Sequence, residues 1–249
     1  MANWNDPQTP GSGLGGRPSL EGTAAGRASF DAGLRRHMLS IYNYMTSGIL
    51  LTGIVALLFA RSGMAASIMM GGGILSWIII LSPLAIVFGM SFGANRFGTG
   101  ALQLMYWAFA VLMGLSLSTI FLRYTGQSIA TTFFATAAAF AGLSLFGYTT
   151  KKDLSGFGSF LIMGVVGILV AMLINIFLQS TILQLAVSIL GVLIFAGLTA
   201  YDTQRLKMQY HQLAGTQFAG KAVILGALSL YLDFINMFQF LLMFLGQRE

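Results

Sequence analysis

Seven apolar runs, each long enough to cross a bilayer, follow one another along this chain, at about Met38–Ala60, Ile74–Gly93, Ala101–Leu122, Ser128–Tyr148, Phe157–Leu178, Thr181–Gln204 and Val223–Phe244. A helix needs about 20 residues to cross the hydrocarbon core of a membrane. Inside lipid every backbone N–H and C=O must find a partner within the protein, and long unbroken apolar runs meet that demand as helices rather than as barrel strands. The expected fold is therefore an all-α membrane protein, a bundle of seven transmembrane helices. Only Gln179 and Ser180 separate the fifth and sixth runs, so a tight hairpin must sit at one membrane face.

Composition agrees with this reading. Charged residues make up 8% of the chain and hydrophobic ones 56%, against about 25% charged in a soluble domain. Too few charges remain to coat a water-facing surface. The net charge of +6 does not point to nucleic acid, because the basic residues lie scattered at the ends of apolar runs and form no patch. The chain has no cysteine, which excludes disulfides and thiolate metal sites. Residues 1–37 precede the spans. Through about Ser29 they are polar and rich in Gly, Pro and Ser, with Pro7, Pro10 and Pro18 among them. Such a segment buries too little apolar area to offset its ordering entropy, so a mobile cytoplasmic tail is expected, with residues 38–249 forming the transmembrane domain. The tail lacks the apolar core of a cleaved signal, and none is expected.

Lys and Arg set the expected orientation. With the N-terminus in the cytoplasm, that side receives Arg17, Arg27, Arg35, Arg36, Arg96, Lys151, Lys152, Arg205, Lys207 and Lys221, and the other side receives Arg61, Arg123 and Arg248. The ten-to-three split places the C-terminus outside, as seven spans require. Gly164, Gly167, Gly191 and Gly197 suit close approach of helix backbones. Pro83, in the middle of the second span, removes a backbone donor and is expected to bend that helix.

Two acidic residues carry the functional argument. Asp202 and Asp233 fall within apolar segments, whereas Asp6, Glu21, Asp31, Asp153 and Glu249 lie in the tail, in loops or at the terminus. A carboxylate at membrane depth costs roughly 2.5–3.5 kcal/mol on insertion scales, and such residues face the bundle interior or a water-filled cavity. The sixth helix is expected to continue past the apolar run to about Met208, so at 1.5 Å per residue Asp202 lies about 9 Å from its cytoplasmic end and Asp233 about 15 Å along the next helix, a difference of about 6 Å. Consecutive antiparallel helices are neighbours by default. Two carboxyls meeting there would share a proton and act as a proton-linked latch, or bind a cation between them as a weak Ca²⁺ site. Ser229, Asn236 and Gln239 lie to one side of Asp233 on a helical wheel and form a polar stripe suited to a wet path. The competing structural reading pairs the acids with bases that fix helix register, and Arg205, three residues after Asp202, is placed for that. Arg96, after the second span, is a further candidate partner for Asp202, although orientation and snorkelling explain it as well. His37 and His211 lie at interfaces, and with no cysteine a transition-metal site has little support.

The stretches Tyr201-Asp202-Thr203-Gln204-Arg205-Leu206-Lys207, Ala227-Leu228-Ser229-Leu230-Tyr231-Leu232-Asp233-Phe234-Ile235-Asn236 and Lys151-Lys152-Asp153-Leu154 resemble signatures of the Bax inhibitor-1 family, in its bacterial branch. The resemblance covers about Met38 to Phe244. It implies a seven-helix bundle around a central last helix, in the bacterial inner membrane. It also implies a pH-dependent calcium leak with a di-aspartyl sensor matching Asp202 and Asp233. A basic residue after the second span latches the first acid in that family; Arg96 is the nearest match, but its loop lacks the expected basic cluster. The resemblance further implies, as an alternative to transport, a membrane-embedded modulator of a membrane-anchored protease or other partner. The expected partners are thus lipid, protons and Ca²⁺, with no resident cofactor.

An enzyme is not expected. Intramembrane aspartyl proteases place Gly-x-Gly-Asp on the second acid's helix and Pro-Ala-Leu later, whereas Leu230-Tyr231-Leu232 precedes Asp233 and Pro83 is the only intramembrane proline. A retinal protein needs a lysine in the seventh helix, and none of Lys151, Lys152, Lys207 and Lys221 lies in that span.

Overall fold

A computed structural model describes residues 20–247 apart from residue 70, with side chains from residue 30 onward. The helices are α1 (Leu20–Arg61), α2 (Met64–Met69), α3 (Ile74–Gly93), α4 (Thr99–Leu117), α5 (Gly126–Thr149), α6 (Ser155–Leu178), α7 (Thr181–Leu213) and α8 (Ala219–Leu245), with a 3-10 segment at Ser118–Leu122. All but α2 are long and apolar enough to cross a membrane, seven spans in all. The expected tail lies in part outside the described residues; from Leu20 onward its residues belong to α1. Of the described residues, those up to Arg36 form one compact unit and those from His37 a second, which holds the bundle.

Local sequence explains the breaks between spans. The hairpin between α6 and α7 is as tight as its two residues require: Gln179 adopts a left-handed conformation with φ 49°, and its N–H closes on the Asn175 carbonyl at 2.8 Å. The Asn175 side chain then accepts the Ser180 N–H at 2.9 Å, and the Ser180 hydroxyl caps α7 through the Leu183 N–H. A short polar side chain thus supplies partners that the helix ends lack. α3 runs on through Pro83. The carbonyl that proline leaves unpaired, that of Ile79, accepts the Ser82 hydroxyl at 3.0 Å, which is how a proline is accommodated where no water is at hand. α7 continues beyond its expected end near Met208, to Leu213.

α8 is the central element. Within an 18-residue window 56% of its residues are buried, against 28% or less in each of the other spans. It packs most extensively on α7 and also on α5 and α4. Its core side chains include Leu230, Tyr231, Met237 and Leu242. Tyr231 sets its hydroxyl 2.6 Å from that of Thr52 on α1, and the Thr52 hydroxyl donates to the Ala110 carbonyl on α4 at 2.8 Å. Three helices are joined by one buried polar chain, as Thr and Tyr commonly do in membrane bundles.

Glycines let some of these helices touch. A Cβ at Gly147 on α5 would come 2.2 Å from the Ala200 carbonyl oxygen of α7. At Gly164 it would meet Ile194, at Gly191 Phe240 and at Gly197 Leu161. Gly167 differs from the expectation, since nothing lies within 4 Å of its added Cβ.

Candidate functional site

In the C-terminal half of α7, successive side chains point in all directions at 100° steps, and every direction meets protein. The Tyr201 ring lies against Gly158 of α6, where a Cβ would come within 2.4 Å of it. The Thr203 hydroxyl lies 2.9 Å from that of Ser144 on α5, which in turn hydrogen-bonds the Tyr42 hydroxyl of α1. The Gln204 amide donates to the Lys152 carbonyl at 2.8 Å and accepts the Leu154 N–H at 2.8 Å, clamping the loop before α6. Lys207 donates to the Tyr148 carbonyl at 2.7 Å and stands over the Tyr148 ring. Thr203 and Gln204 were passed over as functional positions on sequence grounds. The available signal was polar residues on every face of a helix inside a bundle, which leaves each of them needing a partner.

Asp202 is the residue of this stretch that faces α8. It is 6% exposed. One carboxylate oxygen accepts the Ser229 hydroxyl, and the other lies 3.4 Å from the Arg205 guanidinium. The same Arg205 nitrogen donates to the Ser229 hydroxyl at 3.1 Å, so Asp202, Ser229 and Arg205 form a closed triangle. Arg205 also lies over the Tyr201 ring, 5.8 Å from its centroid.

Asp233 stands one helical turn beyond Ser229 on α8 and is 5% exposed. Its Oδ2 atom is buried and has no hydrogen-bond partner. The charged groups that act on it electrostatically are Asp202 and Arg205. The two acids differ in kind: Asp202 is held by two partners, while Asp233 keeps an oxygen without one.

The other candidates fall out as follows. Ser229 belongs to the triangle with Asp202. The Asn236 amide turns back to its own helix, donating to the Leu232 carbonyl at 2.8 Å, and Gln239 is half-buried. The three stripe residues are not hydrogen-bonded to one another among the described residues. Arg96 is exposed, and among the described residues the cation paired with Asp202 is Arg205. Arg205 is three residues away on the same helix, while Arg96 would have to reach in from a loop. His37 is buried with its ring 5.1 Å from that of Tyr210. No group of three or more His, Cys, Asp or Glu side chains able to hold a metal ion occurs among the described residues.

At the helix ends, Asp153 accepts the Ser155 N–H at 2.9 Å. Hydrogen bonding from Ser155, through its side chain and then its backbone N–H, holds the Asp153 carboxyl below the usual range.

Fold and site together define a multi-pass membrane protein whose last helix is the most buried of its spans and carries a buried acid, with a second buried acid on α7. Residues 34–249 match the family model described as "Inhibitor of apoptosis-promoting Bax1", and the chain belongs to this family, the Bax inhibitor-1 family. Among its relatives, a protein of Caulobacter vibrioides is 48% identical, covering 88% of this chain and 91% of its own length. A Rickettsia prowazekii protein is 42% identical over 91% of this chain and 96% of its own length. The inner membrane protein YbhL of Escherichia coli K12 is 44% identical over 88% of this chain and 94% of its own length.

Proposed function

We propose that this protein is a pH-sensitive leak pathway for calcium or other cations in a bacterial inner membrane, gated by the Asp202 and Asp233 carboxyls. The observation that carries this reading is the buried Asp233 Oδ2 atom without a partner, in the field of a second carboxylate. A purely structural acid would have its oxygens satisfied, because an unpaired buried polar atom is costly. An acid kept unsatisfied at membrane depth suits a group that takes up and releases a proton or meets a passing cation.

The ion is cargo here, not a resident cofactor. Ca²⁺ takes six to eight oxygen ligands, and two carboxylates with one hydroxyl supply only part of that shell, so occupancy is weak and transient. When both carboxyls are charged they repel or draw in a cation; when a proton is shared they hold the helices together. The Arg205 guanidinium offsets one of the two negative charges, which makes Asp233 the group that responds and Asp202 its fixed neighbour. The bias of basic residues toward one side supports an N-terminus in the cytoplasm and a C-terminus outside. The location follows the E. coli relative, whose name places it in the inner membrane.

The test is Ca²⁺ flux into proteoliposomes between about pH 5 and 8, comparing wild type with Asp233→Asn and Asp202→Asn; the shared-proton model expects a flattened pH response in both variants. A pH profile unchanged by either substitution overturns gating by the pair. Flux no higher than the lipid background would leave the protein a modulator of a membrane protease or another partner, without transport.

A further inference from the structure

The ends of α3, α7 and α8 enclose a cleft of about 310 Å³ beside the acid site. Its polar lining is Asn95, Arg205, Gln209, Gln212 and Lys221, and Phe218 stands with the apolar part of the wall. No carboxylate lines it. Two cations with three amides and no acid make a cleft for an anion.

The cations have donors to spare. Lys221 gives one N–H to the Ala94 carbonyl at 3.2 Å and stands over the Phe218 ring, 5.2 Å from its centroid. An ammonium carries three donors. A guanidinium carries five donors, and Arg205 engages Asp202 and Ser229 through one terminal nitrogen.

Depth selects the source of the anion. α7 has 33 residues, about 50 Å at 1.5 Å per residue, against a hydrocarbon core of about 30 Å. The helix begins at the α6–α7 hairpin at the opposite face, so its last three turns, with Arg205, Gln209 and Gln212, reach the level of the polar headgroups. Basic pockets between transmembrane helices at that level suit anionic lipid headgroups. The cleft volume is at the low end for ligand pockets, which fits a headgroup rather than a whole lipid. Phe218, 49% exposed, puts an aromatic ring where the glycerol and acyl parts would leave the cleft.

We propose that this cleft holds the phosphodiester headgroup of an anionic phospholipid, with Lys221 and Arg205 donating to the phosphate oxygens and the amides of Asn95, Gln209 and Gln212 binding the headgroup's hydroxyls. The site stands whether or not the two acids carry ions, and its test reads binding, not flux.

Full-length protein in neutral detergent is titrated with phosphatidylglycerol or phosphatidylcholine, and bound lipid is counted by native mass spectrometry. Wild type is expected to keep one phosphatidylglycerol in preference to phosphatidylcholine, and Lys221→Gln to lose about fivefold in that preference, the scale of one basic residue near a membrane surface. Lys221→Arg, which keeps the charge, retains the preference, and so does Lys151→Gln in the exposed loop before α6. Melting temperature confirms that each variant is folded. Equal retention of phosphatidylglycerol by wild type and folded Lys221→Gln overturns the proposal. Displacement of the lipid by inorganic phosphate at matching concentration also overturns it, because the cleft would then serve a free anion.

Discussion

α6 and α8 are both membrane helices, and they are built on opposite plans. α6 is the most apolar of the seven spans and the least buried, with 11% of its window inside the protein; α8 is among the least apolar and the most buried, with 56%. In a water-soluble protein the ranking would run the other way. Lipid is as apolar as a leucine side chain, so there is no gain in hiding α6, and Phe177 at 89% exposure and Ile176 at 65% rest against acyl chains without cost. α8 carries Ser229, Tyr231, Asp233, Asn236 and Gln239, none of which lipid can solvate, and these polar groups draw it to the centre. The proposed function sits on the helix that lipid would reject.

The largest expected break in this contrast comes from packing. Gly147→Ala sets a methyl group against the Ala200 backbone oxygen at 2.2 Å, where no rotamer change relieves the clash; we expect a loss of about 3 kcal/mol or failure to fold, read as melting temperature in detergent. Gly167→Ala on α6, with nothing within 4 Å, should leave the melting temperature in place. Equal effects of the two would mean that the periphery is as tightly packed as the core.

The two acids sharpen the comparison within the core. Asp202→Asn weakens charge-assisted bonds to Ser229 and Arg205 and should cost about 2 kcal/mol. Asp233→Asn replaces a buried carboxyl whose Oδ2 atom has no partner, and is expected to cost less or to raise the melting temperature. The reverse order would show Asp233 to be a structural acid.

Smaller still is Tyr231→Phe, which removes the bond to Thr52 but leaves Thr52 bonded to the Ala110 carbonyl. A loss of about 1 kcal/mol is expected. Phe177→Ala on α6 should change stability by less than about 0.5 kcal/mol, because one lipid-facing apolar group replaces another.

Smallest is Asp153→Asn, at the exposed start of α6. The folded-state carboxyl titrates below its usual range, so its contribution is present above about pH 4 and is lost as the pH falls through the lowered folded value. A slight drop in melting temperature at pH 7 that disappears in acid is the expected result. A drop that persists in acid would assign the effect to something other than the charge.

Much of this architecture was legible in the order of residues. The seven runs, the two-residue hairpin at Gln179 and Ser180, and the anomaly of Asp202 and Asp233 follow from local properties: length against bilayer thickness, the turn that two residues permit, and the cost of a charge in hydrocarbon. The ends of the spans were less legible. α7 runs to Leu213 because amphipathic helix continues into the headgroup region, where polar residues such as Gln209 and Gln212 are at no disadvantage, so hydropathy alone stops too early.

Partnership was settled elsewhere. The Asp202–Arg205 pair is local to one helix, but that Ser229 joins it, that Thr203 and Gln204 reach α5 and the loop before α6, and that Asp233 is left with a bare oxygen are matters of which faces meet when helices pack. A chain's local sequence sets each helix's length and its solvent, because those depend on the residues within it. Rotation about each axis and the choice of neighbour depend on residues a hundred positions apart, as with Tyr42 and Ser144, and only the assembled bundle brings those together.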